Sequence, residues 1–199
     1  NLHIMHGIVN PQDIPQEGFD RRLFAAVFKN TARNYYSQGT GGSSIRDQIE
    51  QAALLLGGVE EVRRRPPFTI VVCLVSPLTH TAERVAEILA CAEEGIPVYV
   101  EADSQLGATT PVTIAGTLVE ECANVLCGVT LAQIVRPGLP SIFATASGAM
   151  DMSSMCYSGG DPRATLLHVA TAQMARYYNL PFQGGTGIDS VLPDAQAGY

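Results

Sequence analysis

The residues of this chain best able to do chemistry stand where its apolar runs give out. His6 and Asn10 lie at the end of the first run, Ser37 and Gln38 close NYYSQ, and Ser76 follows TIVVCLV. Glu101 and Asp103 end IPVYVEA, Thr145 and Ser147 end SIFATAS, and Thr186, Gly187 and Asp189 follow PFQG. Carboxylates, hydroxyls, an amide and one histidine are the groups that grip a small polar or cationic molecule. They select no reaction by themselves. No Gly-x-Ser-x-Gly elbow surrounds any serine, so hydrolysis by a Ser-His-Asp triad has no support. No Cys-x-x-Cys, His-x-x-x-His or His-x-Cys cluster supplies zinc ligands at local spacing, and no metal site is expected. The one lysine, Lys29, falls inside the helical pattern FAAVFKNTA, away from any strand end where a Schiff base would form. Duller roles compete at each position. His6 can pair with a carboxylate, Ser76-Pro77 can mark a strand exit, and Asp103 can open a turn. Glu101 is the exception, because a charge just past a buried strand needs a reason.

Alternating strand and helix patterns position these residues. Strands are predicted over Asn1–Ile8, Asn34–Gln38, Thr69–Val75, Ile96–Glu101 and Ser141–Ala146, with another beginning at Pro181–Gly184. Thr69–Val75 is rich in β-branched residues throughout, as in a strand covered on both faces. Helices are predicted over Phe19–Thr31, Ser43–Leu56, Thr81–Glu94, Thr110–Val135 and Asp161–Tyr178. Gly95 stops the third, Pro111 opens the fourth, and Asp161-Pro162 caps the fifth. The fourth is apolar around much of its circumference and is expected to be buried on two sides. Repeated βα units imply a parallel sheet. The regular repeat, and the lack of a Gly-x-Gly-x-x-Gly turn after the first strand, favour a barrel over an open doubly wound sheet. The expectation is an α/β fold, a (β/α)8 TIM barrel present as a central fragment of about six strands and five helices. Residues 1–199 would form one partial barrel domain, truncated at both ends and inactive in isolation, since a closed barrel typically needs ~250 residues.

Composition narrows the partners. With 46% hydrophobic and 16% charged residues, the 199-residue chain reads as soluble and globular. A formal charge of -7 argues against nucleic acid, and no apolar run in the bare sequence reaches the ~18 residues of a membrane span. The five cysteines sit mostly in apolar runs, as buried thiols of a reducing cytoplasm do. Met150, Met152 and Met155 read as irregular packing, with the lining of a pocket as the alternative, and Arg63-Arg64-Arg65 as a solvated turn, with anion binding as the lesser reading.

Three runs taken together carry more than any of them alone: GATTPVTIAGTLV from Gly107, VTLAQIVRPG from Val129, and the closing VLPDAQAG. In this order, with SPL at Ser76, GIPV at Gly95 and ARYYNLP at Ala175, the chain resembles the trimethylamine methyltransferase family of corrinoid-dependent methylamine enzymes. The resemblance implies a large (β/α)8 barrel, cytoplasmic and homo-oligomeric, that binds no cofactor tightly and works with a cobalt corrinoid carried by a partner protein. Family members acting on trimethylamine carry pyrrolysine in the loop after the strand matching Pro181–Gly184; here Gly187 holds that place. The chain therefore looks more like the branch without pyrrolysine, whose members demethylate quaternary amines such as glycine betaine. Two further departures are Cys122-Ala123-Asn124, where relatives commonly read Asn-Ala-Glu, and Gly198-Tyr199, where many read Gly-His.

The expected reaction moves a methyl group from a betaine-like quaternary amine to the Co(I) corrinoid. A quaternary ammonium leaves as a neutral amine, so no general acid is required, and no catalytic residue is assigned. The residues expected to bind substrate are His6, Gln38, Ser76, Glu101, Thr186, Gly187, Asp189, Gln196 and Tyr199, with Tyr35, Tyr36 or Tyr199 offering cation–π contact. Other readings stay open: a barrel that binds quaternary amines without catalysis, a trimethylamine-type relative of altered substrate, or a different barrel enzyme such as a lyase.

Overall fold

A computed structural model describes residues 4–6, 13, 15 and 18–185, the first three by their backbone alone. The elements follow the expected alternation. They are β1 (Ile4–His6), α1 (Phe19–Asn30), β2 (Asn34–Gln38), α2 (Gly42–Leu56), α3 (Val59–Arg64), β3 (Phe68–Leu74), α4 (Ala82–Glu94) and β4 (Val98–Ala102). Then come β5 (Gln105–Leu106), α5 (Ile114–Val135), β6 (Ser141–Thr145), β7 (Gly148–Asp151), β8 (Cys156–Ser158), α6 (Pro162–Tyr177) and β9 (Phe182–Gly184). Six strands form one sheet in the order β1-β2-β3-β4-β6-β9, and the printed pairings of β1 with β2, β2 with β3 and β6 with β9 are parallel. Each strand of this series lies beside its predecessor, with no reversal of order among the described strands. The architecture is mixed α/β with a parallel sheet.

Contacts divide the chain into two units. The first contains residues 1–72, 82–99 and 130–141. Its core is aromatic at one end, where Phe24 of α1 meets Phe68 of β3 edge-on, with ring centroids 5.0 Å apart. Ile45, Ile49 and Ala52, spaced for one face of α2, are all buried, which is why that helix forms where the periodicity places it. Gly57, at φ 90, ends α2 in the left-handed conformation.

Here one expectation gives way. Arg63 and Arg64 lie within the short helix α3, not a turn, and Arg65 caps it. Arg63 pairs with Glu60 and Glu94, while Arg64 and Arg65 both pair with Glu61. Acidic residues in the first turn and basic ones in the last complement the helix dipole, and that stabilises a helix of only six residues.

The second unit contains residues 73–81, 100–129 and 142–199. Here too the structure departs from the pattern. α5 starts at Ile114 rather than Thr110, because the amides of Ala108, Thr109 and Thr110 all donate to Gln105 O and hold that stretch as a turn. A three-stranded sheet, β5-β7-β8, occupies part of what the sequence left as loop. β7 and β8 are antiparallel, and a Cβ on Gly148 would lie 2.4 Å from the Tyr157 ring, so the ring can lie over this position only because it is glycine. Met152 and Met155 at its tip are 62% and 66% exposed and do not fill the core as expected.

α5 is covered on one side only. Val125 and Ala132 are fully buried, whereas Val119 is 72% exposed. By length and composition this helix could cross a membrane, a possibility the run count missed, yet Glu120 and Glu121 stand in its interior. α6 begins as expected: Asp161 accepts a hydrogen bond from the Arg163 amide, and Pro162 takes the first turn.

Candidate functional site

Side chains alternate across a strand, so the carboxyl-terminal ends of β3, β4, β6 and β9 present two different rows. The last residues, Leu74, Ala102, Thr145 and Gly184, form one. Thr145 bonds to Glu121 of α5, and a Cβ on Gly184 would lie 3.6 Å from His168 of α6, so this row faces the helices. The penultimate residues form the other: Cys73, Glu101, Ala144 and Gln183. Ile70 N donates to Pro97 O and Val98 N to Pro140 O, the parallel offset that puts Cys73 opposite Glu101 and Glu101 opposite Ala144. Ala144 in turn lies opposite Gln183. The fully buried Ala144 is the floor between a carboxylate and a carboxamide. Cys73 Sγ donates to Glu101 Oε2 at 3.1 Å. This row, turned away from α5 and α6, can offer negative charge and an amide to a cation.

The helix-facing side holds a second, buried polar system. Glu121 is fully buried and accepts from Ser147 Oγ at 2.7 Å and Thr171 Oγ1 at 2.8 Å, with Thr145 as a third donor. Burial pushes its carboxyl up to about 7, against the opposing pull of those hydroxyls, and the neighbouring Glu120 adds to the rise. Among the described residues no cation sits against it. His168 Nε2 lies 2.7 Å from Ser147 O, and since a carbonyl only accepts, that nitrogen carries the proton. Glu120 gathers Ser104 Oγ at 2.8 Å, Ser76 Oγ at 3.1 Å and the Leu78 amide at 3.2 Å. One turn on, Asn124 donates to Val75 O while its Oδ1 is buried without a partner. This face of α5 therefore ties the exits of β3, β4 and β6 to one helix.

The sequence-derived set falls out unevenly against this geometry. Glu101 stands in the outward row, half-buried, beside Cys73. Ser76 is engaged instead by Glu120 and Ser104, so it shares a network with α5 rather than with Glu101. In the first unit, Gln38 ends β2 with an exposed side chain, and its carbonyl accepts from Gln48. His6 ends β1 opposite Tyr36. Thr186, Gly187, Asp189, Gln196 and Tyr199 lie outside the described residues. Tyr35 is not available for cation–π contact: it is buried beside Phe24, and burial raises its phenol above the ordinary range. Tyr36 packs on Tyr99 at 4.8 Å.

Four participants escaped the sequence reading: Cys73, Glu120, Glu121 and Gln183. The adjacent glutamates were visible as two charges inside an otherwise apolar helix. Cys73 had no such signal, because a thiol in IVVCLV looks like core. Cys91 and Cys122 are buried as expected, but Cys127 and Cys156 are exposed. Among the described residues no group of three or more His, Cys, Asp or Glu is placed to hold a metal ion.

The family model for trimethylamine methyltransferase (MTTB) matches residues 1–199. The chain belongs to that family. It is 34% identical to a glycine betaine methyltransferase of Desulfitobacterium hafniense over 201 aligned positions, which cover 100% of this chain and 42% of that protein. It is 34% identical to a proline betaine:corrinoid methyltransferase of Eubacterium limosum, covering 81% of this chain and 34% of that protein. A trimethylamine methyltransferase, MttB1, of Methanosarcina acetivorans is also 34% identical, with 96% and 39% covered. The chain thus spans about two fifths of the length of the curated relatives it matches.

Proposed function

We propose that the protein to which this chain belongs takes a methyl group from a betaine-like quaternary amine and delivers it to a Co(I) corrinoid carried by a partner protein. The family match across the whole chain supports the reaction class. The observation that carries the reading into this structure is the outward row at the strand ends, with Glu101 at its centre. In a (β/α)8 barrel that is the rim where substrates bind, and the unreversed strand order supports such a barrel. Gly187 in place of pyrrolysine favours a quaternary amine over trimethylamine as donor. We place the enzyme in the cytoplasm, where five free thiols persist, and expect it to be homo-oligomeric.

The corrinoid supplies the nucleophile that takes the methyl carbon; the electron pair of the broken carbon–nitrogen bond leaves with the tertiary amine. That amine departs neutral, so no side chain of this chain has to give it a proton. The work left to the protein is positional. Glu101 holds the permanent charge, the wall formed by Ala144 and Gln183 limits where the head group sits, and the rim aims one methyl away from the strands. Thr186, Gly187, Asp189, Gln196 and Tyr199 complete the proposed binding set; Ser76, held by Glu120 and Ser104, is not part of it.

The test mixes full-length protein with reduced corrinoid protein and glycine betaine, proline betaine, carnitine or trimethylamine, and follows the corrinoid spectrum. Methylation by a betaine but not by trimethylamine is the expected result. No methylation with any donor, together with tight betaine binding, would establish a binding protein instead.

A further inference from the structure

On that reading a partner protein must bring its cobalt within bonding distance of a methyl group held at the strand ends, so it has to come down over their rim. We propose that the β5-β7-β8 sheet and the turn after β3 are the docking surface for this corrinoid-carrying protein, with Met152, Met155, Val112 and Leu78 as its apolar contacts. The small sheet grows out of β4 and β6, the strands that bear Glu101 and Ala144. Ala146 N donates to Ala102 O and Gly148 N to Ser104 O, so the pairing of β4 with β6 runs on past the rim into β5 and β7. A protein approaching the site meets this extension first.

What the extension shows to solvent is apolar and held in place. Met152 is 62% exposed, Met155 66% and Val112 64%. A Cβ on Gly107 would lie 3.7 Å from Met152 Sδ and 3.8 Å from Val112 Cγ2, so these two side chains flank one spot. The tip is tied by its own bonds: Met155 N donates to Asp151 O at 2.8 Å, and the Asp151 carboxylate accepts from Ser153 and Ser154. Tyr157 donates its hydroxyl to Ala146 O at 2.8 Å and braces the base of the hairpin. Leu78, 58% exposed at φ 45, adds its side chain from the exit of β3. Glu120 accepts from the Leu78 amide and from Ser104 Oγ, so one carboxylate holds the turn and the root of β5. Methionine adapts its unbranched chain to a partner's surface, and a fixed backbone beneath it lowers the ordering cost of binding. One exposed apolar residue needs no explanation, but several on the edge a partner must cross do. A second copy of this chain seated there would stand in the cobalt's way.

The test is calorimetric titration of the corrinoid protein of the methylation assay, unreduced, into the full-length protein and its M152E/M155E, L78N and V169E variants. M152E/M155E is expected to weaken binding about tenfold or more, because it buries charge at an apolar contact. L78N, which keeps a residue tolerant of positive φ, should weaken it about threefold. V169E puts the same charge on α6, where Val169 is 53% exposed, and should leave binding unchanged. Glycine betaine affinity, unfolding free energy and mass in solution should match the wild type throughout. Undiminished binding by M152E/M155E and L78N, or an equal loss from V169E, would overturn the proposal. So would a fall in unfolding free energy with partner binding intact, which would assign the surface to the rest of its own chain. A smaller assembly with partner binding intact would assign it to a second copy and overturn the proposal equally. In each of these cases methyl transfer stands. If the wild type binds no corrinoid protein and methylates none, the underlying reading fails with it.

Discussion

Replacing Glu121 with glutamine should make the protein more stable at pH 8 and leave it nearly unchanged at pH 5. Glu121 is fully buried, and its carboxyl is raised from 4.5 to about 7, chiefly by that burial. The folded state therefore holds a proton that the unfolded chain releases at lower pH. The stability linked to this proton is fully present below 4.5 and is lost as pH climbs towards 7. At ~1.4 kcal/mol for each tenfold in proton affinity, the ionised side chain costs the fold roughly 3 kcal/mol above that range. Glutamine has the same shape and no charge to desolvate. It can also be accommodated, because two of the three hydroxyls have a second acceptor: Ser147 Oγ can donate to Ala102 O at 3.2 Å and Thr171 Oγ1 to Leu167 O at 2.9 Å. The hydroxyl facing the new amide rotates to accept from it. Urea unfolding of full-length wild type and E121Q at pH 5, 6, 7 and 8 measures the effect. The gap between them should widen towards pH 8, up to about 3 kcal/mol. Curves that fall in parallel over that range would refute the assignment of the proton to Glu121.

Other changes have expected outcomes of their own. R84A should lower stability by about 3 kcal/mol in denaturant titration, because it strips the fully buried Glu87 of its ion pair at 2.7 Å and leaves only the Gly41 amide. D161A should cost about 1 kcal/mol and fray the start of α6, visible as faster amide exchange near Arg163. G148A drives a methyl group into the Tyr157 ring, so it should displace that ring and break its hydrogen bond to Ala146 O, seen as a change in tyrosine fluorescence, while leaving the parallel strands protected from amide exchange. E101Q should reduce betaine-dependent corrinoid methylation at least tenfold without changing the unfolding free energy by more than about 0.5 kcal/mol, since this side chain is half-buried.

What the sequence disclosed, and what it withheld, follows from the range of the forces involved. β2, β3, β4 and β6 were legible because alternation and β-branched runs are local properties. The stop at Gly95 and the cap at Asp161 were legible for the same reason. α3 was not, since Glu60 and Glu61 had to be read together with three arginines that suggested only solvation. The hairpin was not, because Gly148 makes sense only once Tyr157, nine residues on, is laid against it. Glu101 announced itself as a charge at the end of a buried strand. Its relation to Cys73 required the register between two strands, a pairing across 28 residues that no local pattern reports. Ser76 illustrates the reverse: its place in the chain suggested the ligand side, and Glu120 on a distant helix turned it the other way.

The row of penultimate residues has a consequence for which changes of sequence this sheet can absorb. Each of the four strands contributes one letter to it, and that letter shares no side-chain face with the helices behind. A single codon can therefore rewrite the charge or bulk offered to a substrate while the packed side keeps its original text. Gaining or losing one residue within β4 would be far harsher: it would swap Glu101 with Ala102, sending an acid into the buried row beside Thr145, which already serves Glu121, and a methyl to the opposite face. The sheet's packing thus tolerates substitution at these four positions far better than it tolerates an insertion or deletion within the strands.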